Sequence, residues 1–383
     1  MSKQSIKAAI TRGNSPIEIA QVDLDAPKAG EILVRIAAAG VCHSDVHLAD
    51  GNLGTTRWPI ILGHEGAGVV EEVGAGVTNV KVGDRVAFNF VPPCRQCKEC
   101  IATRFNLCEV AGEHAYTGNL LDGTSRLHEK DGTELRHFNF VSCFAEKAVV
   151  PAGSAVPVQA DVPLWQAALL GCGVMTGIGA VRNAAKVQIG ETVAVIGCGG
   201  VGLQVVAGAR LAGASKIIAV DMQPANLERA RKHGATHVVD ASKKNVVADV
   251  MAIVPGGVDH AFEVVGRPET IRTAWDVIRA GATAIVVGLA PRGVEVSIPA
   301  IEFLSEKGLK GSLYGSANVP VELPQMIAMA GEGRINVADV VSHVTDLDGI
   351  EAAFERLRKG DGARTLVVID PSIAGSLEGI TRA

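Results

Sequence analysis

The chain has 383 residues, more than one hydrophobic core comfortably serves, so two domains are expected. Hydrophobic residues make up 48% and charged residues 20%, and Gly 44 with Pro 16 form about a sixth of the chain, which excludes a generally disordered or low-complexity polypeptide. Lys and Arg number 36 against 41 Asp and Glu, a formal charge of -5 with no basic block, so the expected partner is a small molecule, not nucleic acid or an anionic membrane.

The N-terminal MSKQSIKAAITRGNSP lacks an apolar stretch of signal-peptide length, and the apolar window 193–214 is interrupted by Gln204, Arg210 and glycines. Both features predict a cytoplasmic protein without a bilayer span. In a reducing compartment the eight cysteines are expected as metal ligands or buried thiols, not disulfides. Short alternating runs at 6–10, 17–22, 32–37, 68–73, 85–90 and 144–150, broken by Gly and Pro, predict an antiparallel, barrel-like region. Within it the polar stretch 118–140 reads as a solvated surface excursion without chemistry, its Asp131-Gly132 pair signalling a two-residue hairpin turn. From about Thr176 the texture changes. Apolar runs TVAVIG, KIIAVD, HVVD, VDHAFEVV, TAIVVG and LKGSLYG alternate with helical stretches such as 224–233 and 268–278, the pattern of a parallel sheet covered on both faces. A helix over 348–359 with Asp348 as its cap and a strand in ARTLVVID close the regular pattern.

Cys94, Cys97, Cys100 and Cys108 form a C-x2-C-x2-C-x7-C run in a polar loop. Four thiolates close a tetrahedral shell around zinc with no open position, a structural site; an iron-sulfur cluster is the chemical competitor. Cys42 in GVCHSDVH, His64 and Glu65 in GHEGAG, and Cys172 in GCGVMTG each sit beside glycines at the end of an apolar run. Taken singly, Cys42 and Cys172 read as buried small hydrophobes. Their joint occurrence with His64 reverses that reading. Gly197, Cys198, Gly199, Gly200, Val201 and Gly202 follow the strand ETVAVI and open a helix, where glycines let a pyrophosphate approach the N-terminal N–H groups. Asp221 lies nineteen residues beyond Gly202 and suits an adenosine ribose, while Met222 and Gln223 offer no cation for a 2′-phosphate, which favours NAD over NADP. The competing role for Asp221 is a helix cap before Pro224.

Together GVCHSD, GHEG, the four-cysteine loop, GCGVMTG, GCGGVG, DHAFEVVGRPET and GARTLVV resemble the zinc-dependent medium-chain alcohol dehydrogenases, of the long-looped kind that includes liver-type and glutathione-dependent formaldehyde enzymes. The resemblance spans nearly the whole chain. It implies an α/β protein: a GroES-like antiparallel β-barrel catalytic domain at residues 1–173 and 317–383, carrying the structural zinc loop 94–108, and a doubly wound Rossmann NAD-binding domain at 174–316. It implies Cys42, His64 and Cys172 as ligands of a catalytic zinc with a fourth position open, Glu65 and Asp45 as supporting carboxylates, and Ser44 and His47 as the proton relay. It further implies His43 and Arg364 near the cofactor phosphates, Thr176 on the nicotinamide side and Arg267 near the adenosine.

Zinc, NAD and a reversible alcohol oxidation follow from that resemblance, with a homodimer expected first and a tetramer second. Ser44, Phe90 and Trp58 suggest an apolar pocket for medium-sized apolar or aromatic alcohols. The acidic segment EVAGEHAYTGN after Cys108 sets a glutathione-type formaldehyde dehydrogenase second. A non-enzymatic NAD-binding redox sensor is the reading outside enzymology.

Overall fold

The structure is a computed structural model that describes residues 3–53, 58–159, 161–243, 245–378 and 380. Two compact units emerge from its contacts: one runs to Cys172 and resumes at Asn318, the other spans Gly173–Ala317.

The first unit contains a closed barrel of five strands in the order Gln4–Thr11, Glu18–Leu24, Leu127–His128, Glu134–His137 and Ile60–Ile61. Beside it lies a seven-stranded sheet in the order Ala155–Pro157, Arg85–Phe88, Gly66–Val73, Glu31–Val41, Arg364–Val368 and Val341–Thr345, with Lys147–Pro151 also pairing to Glu31–Val41. Glu31–Val41 is buried along almost its whole length, which explains a near-continuous run of Ile, Leu, Val and Ala where a half-solvated strand would alternate. Most pairings are antiparallel, but Ile60–Ile61 with Glu134–His137 and Val341–Thr345 with Arg364–Val368 run parallel.

Residues 118–140 are not a solvated excursion. They supply two of the five barrel strands, and Leu120, Leu127, Leu135 and Phe140 from this stretch enter the same apolar core as Ile6, Val22 and Leu33. The polar composition misleads because its charges pair inward: Arg126, only 1% exposed, holds Glu31 through two bonds of 2.6 and 2.9 Å and Asp122 through one of 2.7 Å. The hairpin turn also differs from expectation. Glu129 and Thr133 close a three-residue loop, with Gly132 at φ +92, a conformation glycine adopts without steric cost.

Six parallel strands build the second unit, in the order His237–Asp240, Lys216–Asp221, Thr192–Ile196, Val258–Glu263, Ile278–Val286 and Gly308–Gly311. Helices Gly200–Leu211, Pro224–His233, Val246–Ile253 and Pro268–Val277 link the strands. Strand order reverses at Thr192–Ile196, which has Lys216–Asp221 on one side and Val258–Glu263 on the other. A reversal of this kind opens a crevice at the carboxyl ends of the strands, the usual ligand position in doubly wound sheets.

Two local expectations change. The helix expected at 348–359 runs Ile350–Arg358 with Gly349 at its cap position, and Asp348 instead pairs with Lys7 at 2.6 Å. Among the described residues one helical run, Leu164–Ala185, is long and apolar enough to cross a bilayer, but most of it is buried inside the protein, as a core helix is.

Candidate metal centres and nucleotide turn

The first donor cluster lies wholly in the first unit. The buried strand Glu31–Val41 ends at Cys42, which serves as N-cap of the short helix His43–Ala49. Asp45 in that helix is fully buried and binds three ways: its carboxylate accepts from the Cys42 N–H at 3.1 Å, from the Gly63 N–H at 2.9 Å, and faces His64 Nδ1 at 3.4 Å. One side chain thereby ties the loop carrying Cys42 to the loop carrying His64. Cys172 arrives on a wide π-type turn, Leu170–Val174, in the helical run, a distortion that re-aims a side chain within a helix. A methyl group on the preceding Gly171 would sit 2.5 Å from the Phe88 carbonyl, so only glycine lets the turn pass this close.

The ligand atoms of Cys42, His64 and Cys172 all lie within 4.8 Å of one another, and all three residues are buried. Cys172 Sγ and Ser44 Oγ each stand 3.3 Å from His64 Nε2. A hydrogen bond from the Cys172 thiol, against the opposing effect of burial, holds Cys42 well below the usual thiol range. Burial works against a charged His64, yet Asp45 and Cys42 hold its imidazole well above the usual value. The protons shared within this trio are those a divalent cation would displace, and two sulfurs with one imidazole nitrogen suit zinc. With Asp45 on Nδ1, Nε2 is the nitrogen left for the metal.

Around this trio, Glu65 is fully buried and pairs with Arg364 at 3.3 Å, and the same guanidinium donates to the Val41 carbonyl at 3.0 Å. A methyl on Gly40 would collide with the Glu65 carboxylate, which shows how closely the strand wraps it. The rings of Phe90 and Phe138 stand edge-on to the His64 imidazole, with centroids 5.2 and 5.1 Å away. Phe90 is where the sequence expectation put an apolar wall. Phe138 was missed because it lies inside the stretch read as solvated; its flanking apolar residues Leu135 and Phe140 were the available signal. Trp58 packs on the same apolar cluster as Phe90 and Phe138 and is pressed against Gly13. His47 is half-buried, 3.4 Å from the Asn52 amide, and burial lowers its imidazole below the ordinary value. His43 is exposed, its ring 6.2 Å from that of His47.

The second cluster is the four-cysteine loop, whose sulfurs also lie within 4.8 Å of one another. Backbone N–H groups point at them: Gln96 and Cys97 at Cys94 Sγ (3.4 and 3.3 Å), Cys100 at Cys97 Sγ (3.5 Å) and Cys94 at Cys108 Sγ (3.3 Å). Such donors stabilise thiolates, the form that binds metal. The Cys100 N–H is the leading cause of the fall of Cys97 to about 6, whereas burial raises Cys100 to about 12. Two of the loop's three cations are engaged, Lys98 with Glu109 at 3.1 Å and Arg104 with Glu99 at 2.6 Å.

In the second unit, Gly197 has φ +93 and is pressed against the Val265 side chain, and a methyl on Gly202 would collide with the Gly197 carbonyl. Gly199 differs: nothing lies within 4 Å of where its Cβ would be. That open space lies at the N-cap of the helix Gly200–Leu211, whose start has no side-chain cap, so Gly200, Val201 and Gly202 present free N–H groups to an anion. Asp221 accepts from the Cys198 N–H at 2.7 Å and from the Gln223 N–H at 2.8 Å, linking the Gly-rich turn to the end of the next strand. The cap of the following helix is Gln223, not Asp221. Thr176 lies in the short helix Met175–Gly179, and Arg267 is the exposed N-cap of Pro268–Val277.

Comparison with known proteins places this geometry. Residues 28–160 match the alcohol dehydrogenase GroES-like domain and residues 200–332 the zinc-binding dehydrogenase domain. The chain is 38% identical over 370 residues to the alcohol dehydrogenase class-3 of Cereibacter sphaeroides, covering 94% of this chain and 98% of the relative. It is 37% identical over 369 residues to the S-(hydroxymethyl)glutathione dehydrogenase of Paracoccus denitrificans, with the same coverage. The crystal structure of benzyl alcohol dehydrogenase from Acinetobacter calcoaceticus superposes with a TM-score of 0.90 at 30% identity, over 96% of this chain and 100% of that one. Barrel, parallel sheet and two zinc-suited donor sets define an oxidoreductase acting on CH–OH groups. The chain belongs to the zinc-dependent medium-chain alcohol dehydrogenases, in their formaldehyde dehydrogenase-like branch.

Proposed function

We propose that this chain reversibly oxidises a CH–OH substrate to a carbonyl, with zinc held by Cys42, His64 and Cys172 and NAD as the hydride acceptor. The convergence of those three donors within 4.8 Å, with Ser44 Oγ beside them, carries the reading. When bound, the zinc supplies Lewis acidity at the substrate oxygen and the nicotinamide accepts hydride. The protein's own groups do the rest. Asp45 fixes the His64 ring, while Glu65 and Arg364 place a neutralised ion pair behind the ligands. Ser44 takes the substrate's hydroxyl proton and His47, neutral at neutral pH, receives it for release to solvent.

In this reading Gly197, Gly199, Gly200, Val201 and Gly202 cradle the pyrophosphate, Asp221 binds the ribose, and Arg267 lies near the adenosine. Thr176 faces the nicotinamide, and His43 and Arg364 serve the phosphates. Cys94, Cys97, Cys100 and Cys108 hold a second, structural zinc. A cytoplasmic homodimer completes the proposal; the strand Gly308–Gly311 at one edge of the parallel sheet and the exposed Leu313 beyond it support the pairing.

Two substrate readings follow. The comparisons favour a hydroxymethyl thiol adduct, the one ranked second from sequence, because curated relatives aligned over 94% of the chain are named for S-(hydroxymethyl)glutathione. The apolar or aromatic alcohol is supported by the Phe90 and Phe138 rings at His64, by the pairing of Lys98 and Arg104 with carboxylates in the four-cysteine loop and by the likeness to benzyl alcohol dehydrogenase. NADH formation at 340 nm decides between them. A kcat/KM at least about tenfold higher for formaldehyde with glutathione than for benzyl alcohol establishes the adduct, and the reverse ratio establishes the alcohol. Silence with both, and with a wider panel of alcohols, removes the enzymatic reading.

A further inference from the structure

Glu263 ends the strand Val258–Glu263, one of the two strands flanking the point where the sheet order reverses. Its side chain is fully buried, and among the described residues no cation pairs with it. A lone buried carboxylate is costly unless donors surround it. Here the donors come from the backbone and one hydroxyl. Glu263 Oε1 accepts from the Val265 N–H at 2.9 Å, the Gly266 N–H at 2.7 Å and Thr270 Oγ1 at 2.6 Å. Its main-chain carbonyl accepts from the Val287 and Gly288 N–H groups at 2.8 and 3.0 Å. Five donors, four from two successive loops and one from the helix Pro268–Val277, thus converge on one residue.

Those loops are in tight contact. A methyl on Gly288 would collide with the Gly266 N–H and lie 2.7 Å from Glu263 Oε2, and one on Gly266 would strike the Leu289 carbonyl. The first loop also abuts the nucleotide turn: the Val264 N–H donates to the Ile196 carbonyl at 2.9 Å, and the Val265 side chain packs on Gly197. The loop then delivers Arg267 at the start of the helix Pro268–Val277, whose positive end helps accommodate the buried charge.

We propose that Glu263 is a positioning residue of the coenzyme crevice, whose carboxylate and carbonyl hold the loops 264–267 and 287–290 in their binding geometry before the dinucleotide arrives. The inference rests on the NAD reading given above. Preorganisation of this kind lowers the ordering cost of binding and appears in coenzyme affinity, not in the chemical step.

The test compares the zinc-loaded wild type with Thr270→Val, Glu263→Ala and Glu263→Gln by NADH fluorescence titration, steady-state kinetics, thermal melting and hydrogen exchange. Thr270→Val removes one donor from the cluster without a change of shape, and is expected to weaken NADH binding about three- to tenfold, the size of one hydrogen bond, with a melting temperature lowered by no more than a few degrees. Glu263→Ala is expected to raise the NADH Kd and the KM for NAD at least about tenfold while kcat stays within about twofold, and to speed exchange in 264–267. Glu263→Gln, whose amide oxygen still accepts, restores most of the affinity. If Glu263→Ala does not fold, Thr270→Val decides. Variants that bind NADH within about twofold of wild type, or that lose kcat with Kd intact, overturn the inference alone. A wild type that binds neither NADH nor NADPH overturns the proposed function and this inference with it.

Discussion

Asp45 shows how much of the metal centre depends on a single side chain. Its carboxylate joins the Cys42 and Gly63 N–H groups and faces the His64 imidazole, so it sets two of the three ligands at once. Asp45→Asn keeps the shape but replaces one accepting oxygen with a donor, which opposes either an N–H or the protonated Nδ1. The expected result is a loss of about 10–100-fold in zinc affinity at one of the two sites, with the four-cysteine site unchanged. Chelator competition that follows zinc release in two phases measures it, and a single unaltered pair of phases would contradict this role for Asp45. The residue was legible in the sequence only through the resemblance. Nothing in the spacing of Asp45 from Cys42 and His64 shows that a short helix folds it back onto both.

At the scale of elements, the stretch 118–140 carries the most informative error. Its Asp, Glu, Lys and Arg content reads as solvated, yet Arg126 is buried with Glu31 and Asp122, and the strands on either side of the turn close the barrel. Arg126→Met should cost about 3–5 kcal/mol, because the Glu31 carboxylate is then buried without its cation, whereas Arg126→Met with Glu31→Leu should recover much of that loss. Urea unfolding of the single and double variants checks this, and equal losses in both would refute it. By contrast, the strands of the parallel sheet were visible from composition, because a strand covered on both faces must be apolar through its centre, as VAVI at 193–196 and IIAV at 217–220 are. The helix Pro224–His233 matched its sequence limits because Pro224 starts it and Gly234, at φ +116, ends it. Asp348 failed as a cap because its carboxylate was drawn to Lys7, a contact distant in sequence.

For the whole molecule, the candidate metal donors come from residues 42, 64 and 172, and the strand Glu31–Val41 that leads into Cys42 pairs with Arg364–Val368 near the other end of the chain. The sequence motifs named the three candidate donors, but that they lie within 4.8 Å of one another required the structure. At this scale the exposed edge of the parallel sheet has a consequence for assembly. Leu313 is 56% exposed just beyond the edge strand, and Ile301 and Leu304 in the same unit are 71% and 80% exposed. Light scattering after gel filtration is expected to give twice the chain mass, and Leu313→Glu to shift it towards the single chain. A wild type that elutes as one chain at micromolar concentration would refute the dimer.

The N–H groups aimed at Cys97 have a practical consequence for handling the protein. Without a metal ion, that sulfur is held at about 6 and partly open to solvent, whereas burial raises Cys143 and Cys198 and encloses them. Alkylating reagents and peroxide will therefore attack there first, with Cys100 as the slow partner. Storage losses should track trace chelators in the buffer, and a reductant added late will restore titratable thiols only until sulfinic acid has formed.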